Sequence, residues 1–485
     1  MDEAGSLPLS GLTVRRVSAG RPSAIAEWLL EGLGASAVPQ VEGADLSGPL
    51  SRRGEPTGAD LTVGGDVTPV RTAGAGYRWH GVPSATVDYA LGAALGIAAL
   101  ASWRSGQPIG VSEVDVAVQV FLPEVMALAY ASPTAMRPSS PRPAPGGGWL
   151  HADLGAGDDR EQFALLLETL PPDADAPTVA AAAQEWRLAV CEYRRRAQSP
   201  AVFPISVPAA PDRMADPAAP PPVPAGSAHR SGLTDRPLDG VVVTDLTAMW
   251  AGPLATWLLQ GLGATVHKVE PDVRLDGFRA LDGRGIHPFG RQVAPGEDSA
   301  MWNALNYGKL REPLDLREEM DKRRFLELVR QSDIVIDAYS PRVMPNLGFD
   351  TLPPGPTWLS MPAFPAGPRR SWIAYGTGIH ALAGLGDLGD GDVTEPLVSY
   401  PDPLAGFVAA LGALAAIVGS DLGRPVTRME VPLAAATQPL AAWSAPAERI
   451  EATLSPGLPL LEGGSFHWRP VGDRDLRHPH PPFIL

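Results

Sequence analysis

The chain is poor in cysteine, carries fewer basic than acidic residues, and begins without a recognisable signal segment. Cys191 is the only cysteine among 485 residues, which excludes an intramolecular disulfide and is typical of a reducing compartment. The 39 basic residues are outnumbered by 54 acidic ones, and the net charge of −15 disfavours nucleic acid or an anionic membrane as a partner. The start MDEAGS lacks the basic and apolar parts of a signal peptide, so we expect a cytoplasmic protein.

Long runs of strongly apolar residues are also scarce. The longest uncharged run, Pro403–Ser420, has 18 residues and is rich in alanine and glycine. This is the lower limit of length for a membrane span, but the composition and the flanking Asp402 and Asp421 favour a buried core helix. With 45% apolar residues the chain can bury sizeable cores, and its heavy use of alanine, glycine and proline is typical of a GC-rich bacterial genome.

Two segments far apart in the chain are nearly identical. Residues 255–264 read ATWLLQGLGA and residues 26–35 read AEWLLEGLGA, so eight of ten positions agree. A second pair, GRPVTRMEVPLA at 423–434 and GQPIGVSEVDVA at 106–117, is in the same order. Because 158 residues separate the blocks in one copy and 70 in the other, we predict an internal duplication whose first copy has lost its middle.

Composition shifts predict the domain organisation. Residues 132–148 are rich in Pro, Gly and Ser and indicate a boundary, and PAAPPPVPAG indicates an extended linker. Within the unit between them we predict a helix over Thr178–Arg195. The predicted organisation is a truncated repeat at 1–132, a small domain at 148–210, a Pro/Ala-rich linker at 211–235, a large domain at 236–450 and a tail at 451–485.

Strands and helices alternate in the large domain. Apolar runs predict strands at Val241–Asp245, Thr265–Val269 and Ile334–Ala338, with helices at Pro253–Gly261 and Arg317–Gln331 between them. This alternation predicts βαβ units and a parallel sheet, and open parallel sheets bind ligands at the carboxyl ends of their strands. The fold class is therefore α/β.

The loops after these strands carry candidate ligand contacts. Gly252 and Pro253 open a helix whose free N–H groups suit phosphate, although an ordinary strand-to-helix turn explains them as well and no GxGxxG motif is present. Basic residues near strand ends could meet phosphates on this acidic protein, yet each alone is more often a solvated charge. They are Arg274, Arg279 and Lys309.

One aspartate stands at the start of the long apolar helix. Asp402 is followed by Pro403, which is typical of a helix N-terminus whose first N–H groups bond the carboxylate. The same geometry would keep the carboxylate ionised. Asp402 is thus either a helix cap alone or also a nucleophile for an activated acyl group.

Five blocks in order resemble the family III CoA-transferases, the CaiB/BaiF group. They are LDGVVVTDLTAMWAGPLA, GLGATVHKVEPD, LNYGKLREPLDL, SDIVIDAYSPRVMPNLGFD and YPDPLAGFVAALGALAAI, within residues 238–436. The resemblance implies a Rossmann-like large domain, a smaller α+β domain, and interlocked dimers in which one subunit's small domain meets the other's large domain. The first repeat then is a degenerate copy of the large domain.

The resemblance also implies the chemistry. Acyl-CoA and a carboxylic acid are the substrates, no metal or tightly bound cofactor takes part, and the aspartate at the position of Asp402 is the nucleophile. It attacks the thioester to give an aspartyl anhydride, which CoA converts to an aspartyl-CoA thioester. The residues that match family CoA contacts are Met249, Trp250, Ala251, Gly252, Lys309, Tyr339 and Arg342.

Departures from the family pattern leave other functions open. Tyr375-Gly376 stands where formyl-CoA transferase-like members carry Tyr-Glu, so specificity for oxalate or formate is not implied. The related 2-methylacyl-CoA racemases use a His-Asp pair, but here His380 comes five residues late and is expected to be structural. A third possibility is a non-catalytic CoA-binding pseudoenzyme.

The first repeat has no carboxylate to match Asp402. Aligning the two long helices places Ser84 or Ala85 at that position. We therefore expect a fused pseudo-dimer with one competent site per chain, in which the first half lends its small domain to the second; the chain could still form a homodimer.

Overall fold

A computed structural model describes most of the chain. The described residues are 7–16, 21–38, 58–61, 82–83, 85–129, 141–154, 158–196, 202–208, 236–279, 300–349, 354–396, 398–447, 464–471 and 474–485. The linker predicted at 211–235 and the residue Ser84 lie outside them.

The N-terminal part combines a small parallel sheet with two packed helices. Its strands follow the order β2-β1-β3, and β1 pairs in parallel with both neighbours. The long helix α2 packs against α1. The elements are β1 Thr13–Arg16, α1 Arg21–Gly32, β2 Ser36–Val38, β3 Gly58–Leu61, α2 Thr86–Ser105, β4 Gly110–Val111, α3 Glu113–Val120 and α4 Leu122–Ala129.

A small unit with its own core follows. Its elements are β5 Arg142–Pro143, β6 Trp149–Ala152, α5 Asp159–Thr169, α6 Ala176–Glu185 and β7 Val190–Glu192, and the sheet is antiparallel in the order β5-β6-β7. The predicted helix over Thr178–Arg195 is wrong beyond Glu185. Arg187 adopts a φ of 64°, which reverses the chain, and Val190 and Cys191 then enter a buried strand.

The large domain contains the predicted parallel sheet, which is confirmed. Six strands follow the order β10-β9-β8-β11-β12-β13, and every pair is parallel. The elements are β8 Val242–Leu246, α7 Ala251–Gly261, β9 Thr265–Val269, α8 Ala300–Asn306, β10 Leu310–Glu312, α9 Glu319–Gln331, β11 Ile334–Asp337, α10 Val343–Asn346, β12 Thr357–Ser360, α11 Gly376–Leu382, α12 Pro401–Asp421, β13 Arg428–Glu430, α13 Leu433–Thr437 and α14 Pro439–Trp443.

The end of the chain returns to the N-terminal part. After the hairpin of β14 Phe466–Val471 and β15 Arg474–Pro479, the strand β16 Phe483–Ile484 pairs antiparallel with β4. The segment predicted as a tail therefore contributes a strand to the first half.

Helix α12 lies in the centre of the main core. It packs against α7 on one side and against α2 on the other, so it joins the two halves of the chain. Both α2 and α12 are long and apolar enough to cross a membrane, but 72% and 94% of their apolar windows are buried inside the structure. The prediction that Pro403–Ser420 forms a buried core helix agrees with this placement.

Two glycines of α12 have different surroundings. A Cβ on Gly406 would lie 2.8 Å from the carbonyl oxygen of Ala251, whereas a Cβ on Gly412 would make ordinary contacts, the nearest at 3.5 Å. Gly406 is thus required by the close approach of α12 to α7, and Gly412 is not.

This difference can be measured by two matched substitutions. We expect Gly406→Ala to lower the free energy of unfolding by about 1–3 kcal/mol, because the new methyl group forces two packed helices apart. Gly412→Ala should leave it unchanged or raise it by up to about 1 kcal/mol, since alanine favours the helix. Urea unfolding of both variants gives the comparison, and equal destabilisation would contradict the close-approach argument.

Candidate active site

Asp402 lies in the first turn of α12, at the carboxyl end of the parallel sheet. Its Oδ2 accepts a hydrogen bond from Ser399 Oγ at 2.5 Å, and the carboxylate also accepts the Gly376 N–H at the start of α11. The prediction that Asp402 caps its own helix is wrong. Tyr400 occupies the N-cap position, and its side chain makes no capping bond.

Gly376 is what lets the carboxylate reach the N-terminus of α11. A Cβ at this position would lie 2.3 Å from both Asp402 Oδ2 and Ser399 Oγ, which is far inside van der Waals contact. A side chain at residue 376 would therefore displace the carboxylate. This gives a physical reason for glycine at the place where the sequence departs from the Tyr-Glu pattern.

The carboxyl group of Asp402 is less acidic than an ordinary aspartate. Burial raises its pKa to about 6, with a further increase from the charge of Asp153, while the bonds from Ser399 and Gly376 act in the opposite direction. The hydrogen bonds favour the ionised form, as expected of a helix N-terminus, but removal from water outweighs them. At pH 7 the group is still about nine-tenths ionised, and it is a more basic nucleophile.

The small unit brings a second carboxylate to the site. Asp153 follows β6, and its Oδ2 accepts a hydrogen bond at 3.0 Å from Thr377 Oγ1, one residue after Gly376. The same oxygen is 2.8 Å from His151 Nε2, and His151 Nδ1 contacts the buried Glu395. Sequence reasoning missed this cluster, because its members come from separate domains and match no local motif.

Polar contacts hold the small unit against the segment around α11. The side-chain amide of Gln184 exchanges two hydrogen bonds with the backbone of Ile373, both at 2.7 Å. Trp149 Nε1 donates to the carbonyl of Gly391 at 3.0 Å. The small unit and the segment around α11, which both lie near Asp402, therefore come from the same chain.

The loop from Met249 to Gly252 connects β8 to α7. Met249 has a left-handed φ of 65°, and its N–H donates to Asp276 Oδ2 at 2.9 Å. Gly252 is packed rather than open, since a Cβ there would lie 2.2 Å from the side chain of Thr247. Trp250 and Ala251 are buried as well. The half-buried Met249 is thus the most accessible member of this predicted contact loop.

Lys309 is not placed to hold a phosphate. Its side chain is only 1% exposed, and Nζ bonds Asp245, Thr256, Asn306 and the carbonyl of Pro253 at 2.8–3.0 Å. Burial lowers its pKa to about 8. Its ammonium group compensates the charge of the buried Asp245, which disfavours the predicted direct contact with CoA.

The two predicted arginines in the loop after β9 differ in their surroundings. Arg279 is paired with Glu270 and stacks over Trp302 at 4.2 Å from the ring centroid, with 14% of its side chain exposed. Arg274 is exposed, and its charge opposes the burial that raises the pKa of Tyr339 to about 12 and that of Tyr375. Arg274 is therefore the better candidate for an anionic ligand.

The predicted contacts after β11 border the same edge. Tyr339 is partly buried and donates its N–H to Asp337 Oδ1 at 3.2 Å, and Arg342 is exposed at the start of α10. Asp402 influences the pKa of Tyr375, and Arg274 influences those of Tyr375 and Tyr339. The structure thus brings these side chains to one side of the sheet.

His380 has a structural environment. It is fully buried, with Nδ1 2.7 Å from the Tyr400 hydroxyl and Nε2 3.1 Å from the Thr394 carbonyl. Burial lowers its pKa to about 4. Because both ring nitrogens are engaged, His380 is poorly suited to move a proton of a bound substrate.

The large domain matches a known protein family. Residues 238–453 match the model of CoA-transferase family III. Acetyl-CoA:oxalate CoA-transferase of Acetobacter aceti is 34% identical over 155 residues, 31% of this chain and 37% of that protein. Succinyl-CoA–L-malate CoA-transferase alpha subunit of Chloroflexus aurantiacus is 28% identical over 195 residues, 39% of this chain and 44% of that protein. The chain thus spans less than half the length of these relatives.

A solved structure is similar over a comparable share of the chain. A CaiB/BaiF family protein from Brucella suis is 25% identical, covers 42% of this chain and 55% of that protein, and has a TM-score of 0.36.

The role of Gly376 can be tested by adding one methyl group. We expect Gly376→Ala to lower kcat/KM for CoA transfer by about tenfold to hundredfold, because a displacement of the carboxylate by about 1 Å spoils the attack geometry. Gly412→Ala, on the same helix as Asp402, is the control and should retain activity. Steady-state kinetics give kcat/KM for both variants. Wild-type activity of Gly376→Ala would contradict the claim that a side chain at residue 376 displaces the Asp402 carboxylate.

The raised pKa of Asp402 predicts the pH dependence. Only the carboxylate attacks, so kcat/KM should increase with pH through about 6 and level off above it. Ser399→Ala removes a bond that stabilises the ionised form, so its acidic limb should shift to higher pH. Rates between pH 4.5 and 8 in buffers of constant ionic strength test both statements; a shift of the variant to lower pH would contradict them.

Proposed function

We propose that the chain transfers CoA from an acyl-CoA donor to a carboxylic acid acceptor, with Asp402 as the nucleophile. The observation that carries this proposal is the position of Asp402: a partly buried carboxylate held by Ser399 and Gly376 at the ligand-binding edge of a sheet that matches family III. The names of the relatives support CoA transfer as a class. Oxalate and malate belong to those proteins, and we do not extend them to this chain.

In the proposed reaction, an Asp402 carboxylate oxygen attacks the thioester carbonyl and expels CoA as thiolate, which leaves an aspartyl anhydride. The thiolate attacks the aspartyl carbonyl and releases the donor acid, giving an aspartyl-CoA thioester. The acceptor carboxylate then attacks the aspartyl-CoA thioester and expels CoA thiolate, which leaves a second anhydride. The thiolate attacks the acceptor carbonyl of this anhydride, which releases the new thioester and restores Asp402. No metal or tightly bound cofactor is part of this proposal.

Arg274, Arg342, Tyr339 and Met249 are the residues we propose for CoA. The first two are exposed cations on an acidic protein, and the other two are partly accessible at the same edge. Ala251, Gly252 and Trp250 then shape the loop, while Arg279 and Lys309 support it through their ion pairs.

We also propose that the chain is an internal duplication. Matching bonds support this: Ala35 N–H donates to the Leu30 carbonyl at 3.0 Å and Ala264 N–H to the Leu259 carbonyl at 3.1 Å. The glycine of each GLGA turn is left-handed, with φ of 102° and 112°. The strand order β2-β1-β3 parallels β9-β8-β11, and neither Ser84 nor Ala85, the two residues that the alignment places opposite Asp402, carries a carboxylate.

An internal duplication would explain why the small unit and the Asp402 site belong to the same chain. The small unit contacts α11 and the surroundings of Asp402 within one chain, as Gln184 and Asp153 illustrate. We propose that this intrachain contact replaces the exchange between subunits that the family resemblance implies, with one competent site per chain in a cytoplasmic protein.

The alternatives make different predictions. A 2-methylacyl-CoA racemase would exchange the α-hydrogen of its substrate with deuterium from solvent, and the engaged ring nitrogens of His380 argue against that. A CoA-binding pseudoenzyme would bind without turnover.

Trapping on Asp402 tests the proposal directly. We expect intact-protein mass spectrometry to show an adduct after incubation with at least one acyl-CoA, and hydroxylamine to convert it at Asp402. Asp402→Asn should lose the adduct and lower kcat by at least about a thousandfold while keeping its affinity for CoA, because the nucleophile is removed but the binding edge is not. Binding of CoA without an adduct from any donor would favour the pseudoenzyme.

A further inference from the structure

The two carboxyl oxygens of Asp153 differ in their contacts. Oδ2 receives the Thr377 hydroxyl at 3.0 Å and lies 2.8 Å from His151 Nε2. None of the described residues directs a hydrogen bond to Oδ1, and 28% of the side chain is exposed. An ionised carboxylate fixed through one oxygen presents the other as a strong acceptor.

The charge of this cluster is not neutralised. Although burial lowers the pKa of His151, the charges of Asp153 and Glu395 raise it to about 10, so the imidazole is cationic at pH 7. The cluster contains two acidic side chains against one basic one, and Glu395 is almost completely buried. The acidic member on the accessible side is therefore Asp153, with 28% of its side chain exposed.

In the proposed reaction, a substrate meets Asp402 on that side. The charge of Asp153 raises the pKa of Asp402, and the charges of both residues raise the pKa of Tyr375, whose side chain is 49% exposed. The other charged groups around Tyr375 are Asp159 at the start of α5 and Arg274 in the loop after β9. Among the described residues that act on Tyr375, three are acidic and one is basic.

We propose that Asp153 is a specificity-determining residue of the Asp402 site, which selects acyl groups with a hydroxyl or ammonium donor near the reacting carbonyl and disfavours those with a second carboxylate. This rests on the proposed CoA transfer. A hydroxyl group can donate to Oδ1, whereas the second carboxylate of a dicarboxylic acyl group would lie beside an uncompensated charge. Hydrogen bonds to a charged group correspond to about tenfold to hundredfold in rate.

Three acyl groups of equal chain length form the test. Single-turnover formation of the Asp402 adduct is measured with 3-hydroxybutyryl-CoA, butyryl-CoA and succinyl-CoA. We expect the rates to fall in that order for the wild type. In Asp153→Asn the ratio between the hydroxyacyl and succinyl rates should fall by at least about tenfold, because the amide carries no charge. Asp173→Asn, an exposed change on the same unit, should keep the wild-type ratio.

A second readout does not depend on turnover. The ¹³C carboxyl resonance of Asp402, assigned with Asp402→Asn, should titrate at lower pH in Asp153→Asn than in the wild type. An unchanged titration together with an unchanged rate ratio would overturn the proposal. If no acyl-CoA forms an adduct but the resonance shifts, CoA transfer fails while the influence of Asp153 on Asp402 stands.

A milder variant covers the case in which Asp153→Asn does not fold. Thr377→Val keeps the size of the side chain but removes the hydroxyl that orients Asp153. The rate ratio should then move in the same direction by a smaller factor, and a ratio equal to that of the wild type would count against the proposal.

Discussion

The close contact between α12 and α7 is the constraint on which the rest of this structure depends. Gly406 lets the helices approach until a side-chain carbon would lie 2.8 Å from the Ala251 carbonyl. The same helix packs against α2 of the first half and begins with the turn that holds Asp402. Burial of one helix therefore joins the halves and sets the position of the candidate nucleophile.

The large domain could be predicted from the sequence because its signals are local. Apolar runs identified Thr265–Val269 to the residue and placed β8 and β11 within one residue, whereas the short edge strands β10 and β13 were not predicted. The helix predicted to Arg195 failed because the apolar spacing around Val190 suits both a helix and a short buried strand. The left-handed turn at Arg187 ends the helix and allows the strand, and such a turn is set by packing rather than by local spacing.

The site was less predictable, since its charges are paired over long distances. Lys309 bonds Asp245, which is 64 positions away, and His151 contacts Glu395 across 244 positions. Counting basic residues near strand ends cannot show which of them are already neutralised. The position of Asp402 followed from its motif, but its pKa depends on burial and on Asp153 from another unit.

The sharing of a core between distant segments also affects how the chain is made. Helix α2 ends at Ser105 and its partner α12 begins at Pro401, so roughly 300 residues are synthesised between them. At roughly 5–20 residues per second this takes about 15–60 s. During that interval the face of α2 that α12 will cover is exposed to solvent on the ribosome. The strand β4 remains without its partner for longer still, because β16 is at residues 483–484. We therefore expect the first half of the nascent chain to depend on chaperone protection.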